Sequence, residues 1–203
     1  VVFCKYPVPG RVKTRLAASI GQEVAARYAR RFIEETVSRA VGTGLPVDVH
    51  FAPVEHGPAF RDWLGPDHVY APQSGGDLGE RMHRAFVEAF SRGASRVVLT
   101  GTDAPDRPDR FLTLALDSLE DHAVAIGPAL DGGYHLIAMR RDAFAREAFQ
   151  GISWSTSLVL GQTLTAIRAA GRTVHLLPAW PDIDDEYALA AYLRRQPGAA
   201  LQS

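Results

Sequence analysis

Short runs of β-branched and aromatic residues alternate with amphipathic stretches of helical length from one end of this chain to the other. That alternation leaves few folds open. The period-two and buried-run patterns predict strands over 1–5, 46–52, 68–71, 96–101, 123–127, 134–139 and 173–177. Helical spacing predicts helices over 21–41, 79–92, 107–119, 157–170 and 185–195, with a short helical piece between the second and third strands. Strand–helix alternation is the pattern of a doubly wound, mostly parallel α/β sheet with helices on both faces. Such sheets take their ligands beyond the carboxyl ends of the strands, so residues at strand exits are the first candidates for function.

The 203 residues fit one α/β domain, and no repeat, low-complexity tract or linker divides them, so residues 1–203 are expected to form a single domain. A hydrophobic fraction of 46% with 22% charged residues is enough for a substantial core. The formal charge of −1 gives no electrostatic case for nucleic acid or an anionic membrane. No apolar run approaches the roughly 20 residues of a membrane span, and there is no signal-peptide pattern. The chain opens directly in an apolar strand, as if a few native residues preceded Val1. With a single cysteine, Cys4, no internal disulfide forms, and a reducing, cytoplasmic location is expected. Cys4 itself reads as a small buried residue of the first strand.

The basic residues are distributed unevenly. Of 22, the only lysines are Lys5 and Lys13, both among the first four basic positions. Lysine is a flexible point charge and arginine a planar fork, so the two are not interchangeable at a phosphate site. Both lysines lie in Lys5-Tyr6-Pro7-Val8-Pro9-Gly10-Arg11-Val12-Lys13-Thr14-Arg15-Leu16, a stretch leaving the first strand. Its stiffening prolines, its glycine and its run of cations suit a polyphosphate; the alternative is a solvated basic turn. It is not a P-loop, because Val12 precedes Lys13 where that motif needs glycine.

Acids gather at other strand exits. Asp103, after Val97-Val98-Leu99-Thr100-Gly101-Thr102, is placed either to reach a metal held against phosphates or to cap a turn. Asp131-Gly132-Gly133 reads as a hairpin turn, or as an acid reaching a space where substrate approaches the backbone. In Asp182-Ile183-Asp184-Asp185, Asp182 and Asp184 can present two oxygen ligands while Asp185 caps the last helix. The segment from Gln73 to Arg81 leaves a strand and opens a helix, as a contact to base or ribose or as a flexible lead into that helix. The seven histidines show no zinc-ligand spacing, and His135 alone sits beside a candidate turn. Neither G-x-G-x-x-G after the first strand nor G-x-S-x-G is present.

Taken together, 5–16, 73–82, 101–105, 127–136, 151–157 (Gly-Ile-Ser-Trp-Ser-Thr-Ser) and 182–184 resemble a bacterial family of glycosyltransferases. That family has the GT-A nucleotide-diphospho-sugar transferase fold, and its members are often named for arsenosugar biosynthesis or for association with radical-SAM proteins. Cys4, Ala104 and Asp185 depart from its more usual alanine, serine and threonine. The resemblance implies that Lys5, Gly10, Lys13, Thr14 and Arg15 surround a nucleotide-diphospho-sugar donor, with Gln73, Gly79 and Thr102 completing the nucleotide site. It implies that Asp103, Asp182 and Asp184 hold Mg²⁺ or Mn²⁺. Lys13 and Arg15 would stabilise the departing nucleotide, and Asp131 would be a general base. Gly132, Gly133, Trp154, Ser155 and Thr156 would face a small acceptor. Guanylyltransferases acting on phosphorylated hydroxy acids share the fold and a similar Lys-Thr-Arg loop, and nucleotidyl transfer is the alternative; an inactive nucleotide-binding protein is a third.

Overall fold

The structure, a computed structural model, describes residues 1–196. Its strands and helices follow in the order β1 (Val2–Lys5), α1 (Thr14–Ile20), α2 (Gln22–Gly42), β2 (Asp48–Ala52), α3 (Gly57–Leu64), β3 (Val69–Pro72), α4 (Leu78–Ser91) and β4 (Arg96–Thr100). Then come α5 (Arg110–Ser118), β5 (Val124–Pro128), β6 (Tyr134–Arg140), α6 (Val159–Ala169), β7 (Val174–Leu176) and α7 (Glu186–Arg195), with short 3-10 turns between some of them. None of the described helices is long and apolar enough to cross a membrane.

The chain packs as two compact units, neither continuous in sequence. The first comprises Val2–Pro72, Thr102–Arg107 and the segment from 181 onward. Its strands are all parallel: Val2 pairs with Val49 and Lys5 with Ala52, while Asp48 pairs with Val69. Helix α2 carries an apolar stripe through Ala25, Tyr28/Ala29, Phe32/Ile33, Thr36/Val37 and Ala40, the three-and-four spacing that puts side chains on one face. That face packs with Leu16 of α1 and with Ile183, Leu189 and Tyr192 from the end of the chain. Phe32 is fully buried there, edge-on to Tyr192; burying such a ring contributes about 1.5–3 kcal/mol.

The second unit comprises Gln73–Gly101 and Pro108–Trp180, with Val1. Here β6 runs antiparallel to both β4 and β5, and β7 lies parallel to β5. The reversal has a simple cause. Residues 129–133 are far too few for the crossover a parallel return needs, so β5 and β6 form a hairpin. Strand β6 is buried from His135 to Met139, and α4 packs an apolar face that includes Met82, Phe86 and Phe90. Phe86 and Phe90 join Phe144 and Phe149 in an aromatic cluster. The fold is the mixed, mainly parallel α/β class that the alternation predicts.

Candidate functional site

In the first unit the expected phosphate lysine and two of the expected metal ligands meet. Lys13 lies just before α1 and its side chain is only 8% exposed. Its ammonium pairs with the Asp103 carboxylate, lies 3.1 Å from Asp184 Oδ1 and donates to the Ile183 carbonyl at 2.8 Å. Three N–H donors thus meet three oxygen acceptors, and the face of the Phe32 ring lies 5.7 Å away. Burial alone would pull the lysine's pKa down; Asp103 and Asp184 outweigh it and hold the pKa above its ordinary value of 10.5. Lys13 is therefore charged at any physiological pH.

The local chain explains how this lysine is delivered. Its backbone sits at φ 46° and ψ 45°, the left-handed region, which costs a residue with a side chain roughly 1–2 kcal/mol. Among the described residues, only Lys13 and Ser155 combine a side chain with positive φ. Both lie in segments singled out from the sequence, and strain of this kind gathers at functional sites. Arg15 adds an exposed guanidinium 3.7 Å from Asp184 Oδ2. The acid-bearing segments are tied together by the Ile183 N–H, which donates to the Asp103 carbonyl at 2.8 Å. Farther along the same two segments, Arg195 reaches the buried Asp106 carboxylate at 2.6 Å.

The other expected residues of this unit lie as follows. Lys5 ends β1 and is exposed, and Thr14 opens α1, so part of the expected loop is helix. Gly10 has φ 74°, and a Cβ there would come within 2.8 Å of the Gln22 side chain. Thr102 and Asp182 are partly buried. Asp185 does cap α7, accepting from the Ala188 N–H at 2.9 Å. Cys4 is buried, and burial pushes its thiol well above its ordinary pKa.

The second unit gathers another set. The Asp131 carboxylate accepts from the Gly133 N–H at 2.9 Å and so holds its own turn. Gly132 has φ 92°, and a Cβ there would stand 2.3 Å from the Ser157 carbonyl oxygen, so only glycine fits. The Gly132 carbonyl accepts from the Leu160 N–H at 2.9 Å, joining this turn to the loop that carries Trp154, Ser155 and Thr156. That loop is shaped by Gln162, whose Oε1 accepts from the Ser153 N–H at 2.7 Å, a contact with no signature in the sequence. Thr156 Oγ1 donates to the Ser153 carbonyl, and Trp154 packs on Tyr134, its ring centroid 6.4 Å away. Gly79 lies under the Trp154 indole, where a Cβ would come within 2.7 Å of the ring. The glycine expected beside the nucleotide thus seats a tryptophan expected beside the acceptor. Gln73 is partly buried just before that helix.

Asp103 and Asp184 suit a divalent cation in kind and number. Their side chains are 54% and 39% exposed, both reach one common point, and magnesium takes one or two protein carboxylates with phosphates and waters. No group of three or more His, Cys, Asp or Glu side chains converges as a metal-holding set among the described residues.

Comparison with known proteins places the chain in context. The profile of a family described as "uncharacterized protein conserved in bacteria (DUF2064)" matches residues 36–156, a span that includes Asp103, Asp131 and Trp154 and leaves Lys13 and Asp184 outside. A solved structure from Desulfovibrio desulfuricans G20, provisionally named a nucleotide-diphospho-sugar transferase, is 40% identical. It covers 96% of this chain and 85% of its own, with a TM-score of 0.89. CMP:2-keto-3-deoxy-manno-octonic acid synthetase complexed with CTP matches with 13% identity, 98% of both chains and a TM-score of 0.62. The inositol-1-phosphate CTP transferase from T. maritima matches with 12% identity, 96% of this chain and 93% of its own, and a TM-score of 0.61. At such identities the last two share the fold alone. A search of curated proteins finds no match.

Proposed function

The chain belongs to the bacterial family described as uncharacterized protein conserved in bacteria (DUF2064), and on that footing we propose that it transfers a sugar from a nucleotide-diphospho-sugar donor to a small hydroxyl-bearing acceptor. The observation that carries the reading is the Lys13 ammonium held by Asp103 and Asp184 with Arg15 beside them. Four charged groups of the kinds that receive a metal-bound diphosphate are already assembled. The relative from Desulfovibrio desulfuricans G20 supports the reading by its provisional name.

Asp103 and Asp184, with Asp182, would hold Mg²⁺ or Mn²⁺, which when bound neutralises charge on the diphosphate. Lys13 and Arg15 donate charge-assisted hydrogen bonds to the phosphate oxygens, and the loop from Lys5 through Gly10 to Lys13, with Thr14 at the start of α1, surrounds the diphosphate. Their cations stabilise the negative charge that grows as the bond between the anomeric carbon and the diphosphate oxygen breaks. The nucleoside takes its contacts from Thr102, Gln73 and the start of α4 at Gly79. Gly132, Gly133, Trp154, Ser155 and Thr156 receive the acceptor, and the bound acceptor's hydroxyl oxygen attacks the anomeric carbon. Asp131, a carboxylate oriented by its own turn, takes the proton from that hydroxyl. The electron pair of the broken bond leaves with the nucleoside diphosphate. We place the reaction in the cytoplasm, and propose that the chain acts as a transferase of the arsenosugar-type, radical-SAM-associated kind.

The test is which product is released. UDP- or GDP-sugars, incubated with Mg²⁺ or Mn²⁺ and a panel of small alcohols, should yield nucleoside diphosphate in a coupled assay. Chelation should abolish release. Metal-dependent pyrophosphate release from GTP or CTP with phosphorylated hydroxy acids or alcohols would reject sugar transfer in favour of nucleotidyl transfer.

A further inference from the structure

Resting on that reading of the site, we propose that Lys13 is a displaceable counterion: its ammonium occupies the point shared by Asp103 and Asp184 and excludes a divalent cation until a polyphosphate draws the ammonium away. The carboxylate oxygens that would serve the metal are the ones the lysine now holds, Asp103 Oδ1 and Asp184 Oδ1, the latter at 3.1 Å. A divalent ion on those oxygens would stand within a few ångströms of a buried ammonium, where like charges repel strongly. Both cannot stay. The ammonium needs another anionic partner before it leaves, because a buried charge without one is heavily penalised. A diphosphate is such a partner, and the charge-assisted bonds it accepts replace the ones lost.

The residue type suits the task. Lysine is a compact charge on a flexible stem and moves between partners with its backbone fixed, whereas an arginine fork on a carboxylate is geometrically committed. The partners differ as well: Asp103 and Asp184 are partly exposed and accessible to an incoming ion, while the lysine between them is not. Arg15, 3.7 Å from Asp184 and 71% exposed, remains as a second cation for the phosphate. The consequence is positive coupling between metal and diphosphate, and it is necessarily reciprocal: each ligand tightens the other by the same factor.

Mn²⁺ binding, read by electron paramagnetic resonance of the unbound ion on the full chain, tests this. In the wild type, saturating UDP or GDP should tighten Mn²⁺ binding by at least about fivefold, the lower end of ordinary coupling between sites. Lys13→Gly removes the cation and accepts φ 46° without strain. Without nucleotide it should bind Mn²⁺ at least about fivefold more tightly than the wild type, with the coupling reduced. Lys13→Met, which keeps the bulk of the stem, should do the same. Equal Mn²⁺ affinity of wild type and folded variants without nucleotide overturns the counterion role, while nucleotide-dependent Mn²⁺ binding in the same experiment leaves the functional reading standing. Failure of all three proteins to bind Mn²⁺ under either condition overturns both. A further measurement needs no variant. With only two lysines in the chain, the Lys13 ammonium is readily assigned by NMR in lysine-labelled protein. Its signal should shift when UDP or GDP is added without metal; a signal that binding of the diphosphate leaves unmoved overturns the proposal.

Discussion

Gly132 shows how narrowly a single position can be determined. It combines φ 92° with a backbone approach that would put a Cβ 2.3 Å from the Ser157 carbonyl oxygen. Gly151 has φ 65° and nothing within 4 Å of its would-be Cβ. Both alanine substitutions incur backbone strain, on the order of 1 kcal/mol or somewhat more. Gly132→Ala adds a collision with main chain that cannot rotate away. Urea denaturation should therefore show a clearly larger loss for Gly132→Ala than for Gly151→Ala, and equal losses would mean that the turn yields. The glycines and acids of both clusters were singled out in the sequence by their position at strand exits, where such sheets take ligands, although their residue types also read as ordinary turns. The pairing of Lys13 with Asp103 and Asp184 was not: those contacts span 90 and 171 positions, and an ion pair between remote residues leaves no local pattern. The Ile183 carbonyl is less visible still, since it acts through its backbone behind an apolar side chain.

Helix α7 brings Leu189 and Tyr192 into the core, and its start is held by one side chain. Asp185→Ala removes the acceptor for the Ala188 N–H and should cost about 1 kcal/mol, within a range of roughly 0.5–2, in equilibrium denaturation. Asp185→Asn, which keeps a capping oxygen, should recover most of that loss; if it does not, the carboxylate's charge matters more than the cap. The periodicity located the longer helices and all seven strands of the described chain to within a few residues, because each buries one face or lies between apolar neighbours. It did not separate α1 from the loop before it. A seven-residue helix with one buried side chain, Leu16, is too short to display a period, and its one cation, Arg15, reads as part of the basic loop before it. Nor did it anticipate that α1 and α2 are divided by Gly21 alone, at φ 87°.

Across the whole molecule several groups hold their protons more tightly when folded. Burial raises the Cys4 thiol above its ordinary 9.0, burial and then the Glu35 carboxylate raise the Tyr192 phenol above 10.0, and Lys13 is raised above 10.5. A raised folded pKa adds stability that is complete below the unfolded value and is lost as pH climbs through the folded one. These groups should thus leave the denaturation midpoint independent of pH up to about pH 9 and make it fall steadily above that; a midpoint flat to pH 11 would contradict the shifts. The interleaving of the two units was beyond any sequence pattern, because it depends on where segments dock and not on what they are. It has a consequence for how the protein is made. Leu16, Tyr28 and Phe32 leave the ribosome about 150 residues or more ahead of Ile183, Leu189 and Tyr192, which pack against them. Until those residues emerge, the apolar faces of α1 and α2 lack these partners. Lys13 can pair with Asp184 only after that later segment has been made, so the charged cluster is completed well after Asp103 is in place, and a product that stops short of residue 183 cannot form it.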